Sequence, residues 1–379
     1  MALESLVILG CLGAIGVAGL RESLALSRAR ASVPIRIHVN GTRGKSTVTR
    51  LVHAGLRASG LTVLGKATGT APRLLMPDGR EEPIRRRGPA NISEQAWVLR
   101  MAGRLGADAL VVECMALRPE LQRVTEHRML RSTVGVMTNV RTDHTEVMGR
   151  TLAEIADALS GTVPRGAALV LGERREKARF REVAAALGTN VIDVSAVAGN
   201  TGGERPPWFQ EDLAVALAVT RLLGIPDAVA EPAMLACPAD PGAVRIVEVG
   251  PEGARIPCID ASAANDPESL RLLIDQLLPA IEPRDGPVLL LLNHRRDRPG
   301  RLLPLLGTAL EAVRPAAVVV TGERPALSQW LALGRCGWPV SFVPVAEVGA
   351  RIARQSAGCR AIVVCGNSRG LSVISDLGG

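Results

Sequence analysis

The stretch NGTRGKST (40–47) sets two glycines, a lysine and three hydroxyls after an apolar run, IRIHV, where a helical pattern opens near Lys45. That grouping suits an anion. Gly41 and Gly44 let the backbone turn and approach a ligand, and the loop N–H groups and helix dipole then face a phosphate. Lys45 can reach the β and γ phosphates of a nucleotide, and the Ser46 hydroxyl can ligate Mg²⁺. The usual pattern G-x-x-x-x-G-K-[ST] asks for glycine at position 39, where Val39 stands. Three lysines face 45 − 3 = 42 arginines, so positions needing only a positive charge have become arginine. A retained Lys45 therefore reads as a compact ammonium that a planar guanidinium does not replace.

Two further residues belong beside this loop. Glu113 ends the apolar run DALVVEC (108–114), and His144 follows the run TVGVMTNV (133–140), next to Asp143. A buried acid is costly unless paired or metal-bound, and strand ends are where a parallel sheet presents its ligands. A lone histidine is more often structural. Two such residues on consecutive strand ends, in a sheet whose first strand carries the loop, make Ser46, Glu113 and His144 a candidate magnesium-binding set.

The elements that must position these groups follow from the hydrophobic pattern. Strands are expected at 35–40, 61–65, 108–114, 133–140, 167–172 and 190–195, and helices at 45–59, 93–105, 119–130, 151–160, 174–187 and 210–223. Continuous apolar strands alternating with amphipathic helices predict a parallel sheet covered on both faces. PDAVAEPAMLACPADPGA (226–243) reads as a linker, after which the rhythm restarts with RIPCIDA, a helix at 267–281, GPVLLLLNH, a helix at 300–313, AAVVVTG and RAIVVCG. The expected organisation is an apolar segment at 1–22, a P-loop α/β domain at 23–235, and a smaller Rossmann-like α/β domain at 236–379. A chain of 379 residues exceeds what one core usually serves.

Composition narrows the partners. Lys+Arg exceeds Asp+Glu by 45 − 37 = 8, which favours anionic partners. Aromatics are 2% with no tyrosine, which removes the stacking platforms of single-stranded nucleic acid binders, so nucleic acid ranks low. The seven cysteines are scattered and include no C-x-x-C pair, and they read as buried thiols rather than a disulfide frame or zinc site. The uncharged run SLVILGCLGAIGVAGL (5–20) makes a helix of about 24 Å, short of a hydrocarbon core of roughly 30 Å. It is open to three readings: a short membrane anchor, a buried first helix, or a cleaved signal peptide. Arg21, Arg28, Arg30 and Arg36 follow it, so an anchor leaves the rest of the chain at the cytoplasmic face of the membrane.

Together, GTRGKS (41–46), ECMAL (113–117) and TNVRTDH (138–144) resemble the Mur ligase superfamily, ATP-dependent amide ligases that include folylpolyglutamate synthase and whose loop lacks the first glycine. KATGTAPRLLMPDG (66–79), GPANISEQ (88–95), RSTVGVMTNVRTDHTEVMG (131–149) and AANDPES (263–269) narrow the likeness to the capsule-type ligase subunits of poly-γ-glutamate synthase. The resemblance implies a Mur ligase central-domain-like fold, with ATP and Mg²⁺ as nucleotide and cofactor. It makes Lys45, Glu113 and His144 catalytic and assigns Gly41, Thr42, Arg43, Gly44, Lys45, Ser46, Thr47, Asn265 and Arg296 to the nucleotide. Asp260, Arg295 and Asp297 lie in the same C-terminal segments. Thr68, Thr70, Arg73 and Arg86 are the candidates for the substrate, and the basic loop of Arg73 and Arg85 to Arg87 suits a polyanionic product, though a solvated loop fits it equally. The implied reaction joins glutamates by γ-glutamyl linkages through an acyl phosphate, with glutamate and poly-γ-glutamate as partners and small integral membrane subunits alongside. The family's carbamylated lysine has no counterpart, because only Lys177 follows Lys66. Two rivals are a folylpolyglutamate-type ligase and a P-loop ATPase coupled to a membrane partner.

Overall fold

The computed structural model describes residues 2–69, 72–86, 88–196, 207–238, 244–250, 255–262, 264, 266–281, 285–296, 299–356 and 358–366. The chain divides into two compact units, residues 1–239 and 240–379.

The first unit opens with α1 (Ala2–Ser32), β1 (Ile35–Asn40) and α2 (Lys45–Ala58), then β2 (Val63–Ala67) and the short strands β3 (Arg73–Leu75) and β4 (Glu81–Pro83). It continues through α3 (Ser93–Arg104), β5 (Ala109–Glu113), α4 (Pro119–Val124), a π-helical turn (Thr125–Leu130) and β6 (Val134–Met137). It closes with α5 (Thr145–Met148), α6 (Leu152–Leu159), β7 (Ala168–Leu171), α7 (Lys177–Ala186), β8 (Asn190–Asp193), α8 (Pro207–Leu222) and α9 (Asp227–Leu235). The sheet order is β4-β3-β2-β5-β1-β6-β7-β8, with only the β2–β3 and β3–β4 pairs antiparallel. β1 therefore sits centrally between β5 and β6, with Val39 opposite Glu113 and Asn40 opposite Met137. The chain leaves β1 for one side and later returns to fill the other, a topological switch that opens a crevice at the carboxyl ends of these strands.

The central strands β2, β5, β1 and β6 are largely buried on both faces, whereas the edge strands β4 and β8 are not. α2 turns Val48, Leu51, Val52 and Leu56 to the sheet, and α8 and α9 pack beside it. The stretch expected to be a linker is thus partly helix. Ala230 and Met234 of α9 are buried against α2, despite Pro232 inside the helix. Residues 10–24 of α1 are exposed, which overturns the buried-helix reading there, whereas Leu26, Ala29 and Val33 enter the core beside Ala96 and Leu99 of α3. No helix among the described residues is long and apolar enough to cross a membrane. Cys114, Cys258 and Cys365 are buried as expected, but Cys11 is exposed and Cys237, Cys336 and Cys359 are half-buried; all seven are free.

A polar layer runs under the glycine turn. Asn40 Nδ2 donates to Gln122 Oε1 (2.8 Å) and Thr162 Oγ1 (3.0 Å), both buried. His38 Nδ1 lies 2.9 Å from Glu126 Oε2, and Glu126 also accepts from the Ser132 N–H and hydroxyl. His38 Nε2 is buried without a hydrogen-bond partner. Burial opposes the imidazolium, but Cys114 and Glu126 outweigh it and raise the pKa to about 9.

The second unit holds β9 (Arg245–Val249), β10 (Ile256–Asp260), α10 (Pro267–Leu277), β11 (Val288–His294), α11 (Leu302–Val313), β12 (Ala317–Gly322), α12 (Leu327–Leu333), β13 (Val340–Phe342), α13 (Val345–Gln355) and β14 (Ala361–Gly366). Its order is β13-β12-β11-β14-β10-β9, parallel except for β9. Asp266 caps α10 through the Ser269 N–H (2.8 Å), with Pro267 in the first turn. The sequence pattern missed β9, β13, α12 and α13.

Because the folded-state pKa of His38 lies above its ordinary 6.5, this ion pair contributes fully below pH 6.5 and fades as pH rises through about 9. Glu126→Gln should lower stability by about 3 kcal/mol at the acid end of that window and flatten the pH dependence, measured as urea midpoints across it.

Candidate active site

The turn between β1 and α2 is held open by two glycines in conformations that other residues rarely adopt, Gly41 at φ 133° and Gly44 at φ 78°. A Cβ at Gly41 would lie 2.0 Å from Thr138 Oγ1, and one at Gly44 would lie 2.1 Å from Asp212 Oδ1. The loop is also tied to the segment after β6. Thr42 Oγ1 donates to Asn139 Oδ1 (2.8 Å), the Arg43 N–H donates to the same oxygen (3.1 Å), and Thr138 Oγ1 donates to Arg43 O (2.6 Å). α2 has no side-chain cap and no acid of its own in its first turn, so its positive end faces the turn. Lys45 Nζ donates to the carbonyls of Gly41 (2.7 Å) and Thr42 (3.3 Å).

Glu113 meets this loop directly. Its Oε2 accepts from Ser46 Oγ at 2.8 Å and from the Thr68 N–H at 2.5 Å, and the residue is 3% exposed. A hydroxyl and a carboxylate oxygen at that separation match the spacing of about 2.9 Å between adjacent oxygens around an octahedral Mg²⁺ with bonds near 2.05 Å. The donor set thus fits a hard divalent cation. His144 stands on the neighbouring loop as the αL N-cap of α5 (φ 47°), with Nδ1 3.4 Å from Glu146 Oε1. The adjacent Asp143 pairs with Arg43 of the glycine turn at 3.2 Å. Among the described residues no three His, Cys, Asp or Glu side chains are gathered as a metal cluster. The geometry therefore joins Ser46 to Glu113, while His144 stands next to Asp143, whose pair with Arg43 ties that loop to the glycine turn.

Lys66 proves to be a strut. It is 0% exposed, and Nζ contacts Gln95 Oε1 (3.0 Å) and Glu94 Oε2 (3.1 Å), while Gln95 Nε2 donates to the Glu113 carbonyl (2.9 Å). Burial lowers its pKa, and Glu94 offsets part of this. Of the substrate candidates, Thr68 contributes its N–H to Glu113, and Arg73 is half-buried with Nε lacking a hydrogen-bond partner. Arg86 is engaged in a bidentate pair with Glu94 (2.7 and 3.1 Å), a carboxylate it shares with Lys66. Thr47 lies in the first turn of α2. Thr70, Arg87, Asn265 and Asp297 lie outside the described residues. In the second unit Asp260 accepts from the Ser262 N–H (3.1 Å), and Arg296 donates to Glu323 and to Arg324 O.

Two contributors escaped the sequence reading. Asn139 sat inside the TNVRTDH motif but carried no signal that its amide would brace the turn. Asp212, on α8, is buried against Gly44. Burial, then Glu211, pushes its pKa well above the usual carboxylate range, with Arg141 in partial opposition. An acid beside Glu211, at the head of the apolar run LAVALAV, was the available clue.

Residues 39–205 match the Mur ligase middle domain, and residues 246–372 match the poly-γ-glutamate synthase CapB C-terminal domain. The PGA synthase CapB of Bacillus subtilis (strain 168) is 35% identical over 324 residues, covering 84% of this chain and 82% of that protein. This chain belongs to the CapB family. The capsule biosynthesis protein CapB of Bacillus anthracis is 35% identical over 318 residues, covering 81% of this chain and 67% of that one. Among solved structures, a bifunctional folylpolyglutamate synthase/dihydrofolate synthase with Mn, AMPPNP and L-glutamate bound superposes with a TM-score of 0.66 at 21% identity, covering 94% and 92% of the two chains. Escherichia coli FolC with DHPP and ADP gives 0.67 at 19% identity with the same coverage. At such identities the likeness is one of fold, and it places this CapB-family chain on the Mur ligase framework.

Gly44→Ala should cost the turn about 1–2 kcal/mol in backbone strain besides the collision with Asp212. Calorimetric titration with ATP is expected to show affinity reduced about tenfold or more; unchanged affinity would remove this turn from the nucleotide site.

Proposed function

We propose that this chain is an ATP-dependent amide ligase that joins glutamates through γ-glutamyl linkages and so extends poly-γ-glutamate. The observation that carries the reading is the Ser46–Glu113 contact at the mouth of the glycine turn, in a chain of the CapB family. ATP and a divalent metal fit this site, as they do the fold relatives solved with AMPPNP and Mn, and we take the metal to be Mg²⁺. Ser46, Glu113 and His144 are the residues to hold it, and when bound it supplies positive charge against the phosphate oxygens.

A carboxylate and an amine do not condense usefully in water, because oxide is a poor leaving group. The γ-carboxylate oxygen of the donor glutamate attacks the γ phosphorus of ATP, and the bond to ADP breaks. The free amine of the acceptor then attacks the acyl carbon, phosphate leaves with the bonding pair, and the nitrogen loses its proton. This chain's part is to hold and neutralise. The Lys45 ammonium and the N–H groups at the head of α2 stabilise charge on the transferring phosphoryl group, and the Asn139 and Thr138 bonds keep the turn from collapsing onto its own carbonyls. Thr68 and Arg73, at the ends of β2 and β3, are the proposed substrate contacts.

Localisation at the cytoplasmic face of the membrane, with small integral membrane subunits as partners, belongs to the same proposal. It is supported by the exposed Leu12, Ile15, Val17 and Leu20 of α1 and by the arginines that follow them.

Lys45→Ala and His144→Ala should each reduce glutamate-dependent ADP formation at least about 100-fold with an unchanged melting temperature. Normal turnover in either variant would refute the site assignment, and steady ADP release without glutamate or its polymer would favour a P-loop ATPase instead. Removal of residues 1–21 should move the protein out of the membrane pellet.

A further inference from the structure

At the amino ends of the strands, opposite the glycine turn, lies a cavity of about 300 Å³ between α1 and the π-helical turn. Its lining includes Glu22, Leu26, Arg30, Arg128, Met129 and Arg131. The chain enters β1 and β6 from this edge, whereas Ser46 and Glu113 stand at the other, so neither ATP nor the glutamates of the proposed reaction occupy it.

The cavity is short of negative charge. Among the described residues, Arg30, Arg36, Arg128 and Arg131 form no ion pair with a carboxylate. Arg30 Nη1 donates to the carbonyls of Arg128 (3.1 Å) and Met129 (3.0 Å), and Arg36 donates to those of Val33 (2.6 Å) and Arg131 (2.9 Å). Main-chain carbonyls orient these guanidinium groups but do not neutralise them. The one lining acid, Glu22, lies 3.8 Å from Arg100. Burial and then the neighbouring Arg131 depress the pKa of Arg30, as crowded like charges require. Arg131 also holds a left-handed backbone (φ 45°), at a local conformational cost.

Directly beyond the cavity, α1 leaves the domain and exposes Leu12, Ile15, Val17, Leu20 and Leu24. Apolar side chains followed at once by unpaired guanidinium groups form the order of a bilayer surface, acyl chains and then phosphates. We infer that this cavity binds the phosphate headgroup of an anionic phospholipid, with Arg30, Arg128 and Arg131 as its ligands. The inference rests on the membrane reading of α1 and deepens it, since it assigns the lipid class that the basic edge selects.

The test uses the full chain and co-sedimentation with vesicles of phosphatidylcholine alone or of an equal mixture with phosphatidylglycerol. The variant is Arg128→Gln/Arg131→Asn, in which asparagine tolerates the left-handed backbone and the Arg30 bonds to the main chain remain. Wild type should bind the mixed vesicles about tenfold or more tightly than the neutral ones. The double variant should lose that preference, keep its binding to neutral vesicles and retain glutamate-dependent ADP formation. A preference unchanged in the double variant, or absent from wild type, overturns the inference, as does full competition by soluble glycerol phosphate, which would identify a free phosphate ester as the ligand. Loss of wild-type binding to both kinds of vesicle would instead strike the membrane reading of α1 itself.

Discussion

Most of the first unit can be understood as the means of bringing one hydroxyl to one carboxylate. Ser46 and Glu113 are 67 residues apart in the chain and 2.8 Å apart in space. The separation closes because β5 pairs in parallel with β1, with Glu113 opposite Val39, so the end of one strand stands beside the turn that leaves the other. Thr68, just past the end of β2, completes the cradle with its N–H. A carboxylate that is nearly inaccessible survives only with such partners, since an unpaired charge there would be far too costly.

The supports for this contact follow the same logic. The glycine turn is braced by side chains from the segment after β6 as well as by Lys45, and Asp212 fills the space a side chain at Gly44 would need. Behind Glu113, the buried Lys66 reaches through Gln95 to the backbone of β5. Beneath the turn, the Asn40–Gln122–Thr162 and His38–Glu126–Ser132 groups join β1 to the helices on one face of the sheet. A parallel sheet also separates its two edges. Chemistry gathers at the carboxyl ends, while the arginines around the foot of α1 gather at the amino ends.

What could be read in the sequence was whatever is local. The glycine turn, the lysine, the acid ending an apolar strand, and the alternation of strands and helices all register within a dozen residues or so, and each stands where expected. What could not be read was decided by distant partners. A proline- and alanine-rich stretch looks like a linker until Met234 finds the gap above Gly55 of α2, where a Cβ would stand 2.5 Å from its methyl carbon. The β3–β4 hairpin offers three residues per strand, too few for a period to appear. Arg86 looked like a free cation until α3 delivered Glu94 to it. Asp212 stood visibly at the head of an apolar run, but the loop it is buried against, some 170 positions away, left no trace in its neighbours.

The central claim is that the oxygens of Ser46 and Glu113 share one divalent ion at the end of a bound triphosphate. Anomalous scattering from Mn²⁺ in crystals grown with a non-hydrolysable ATP analogue addresses it directly. The account predicts a peak about 2 Å from both Ser46 Oγ and a Glu113 carboxylate oxygen, touching the terminal phosphates. A peak bound to the phosphates but beyond coordination distance of Glu113 would contradict it.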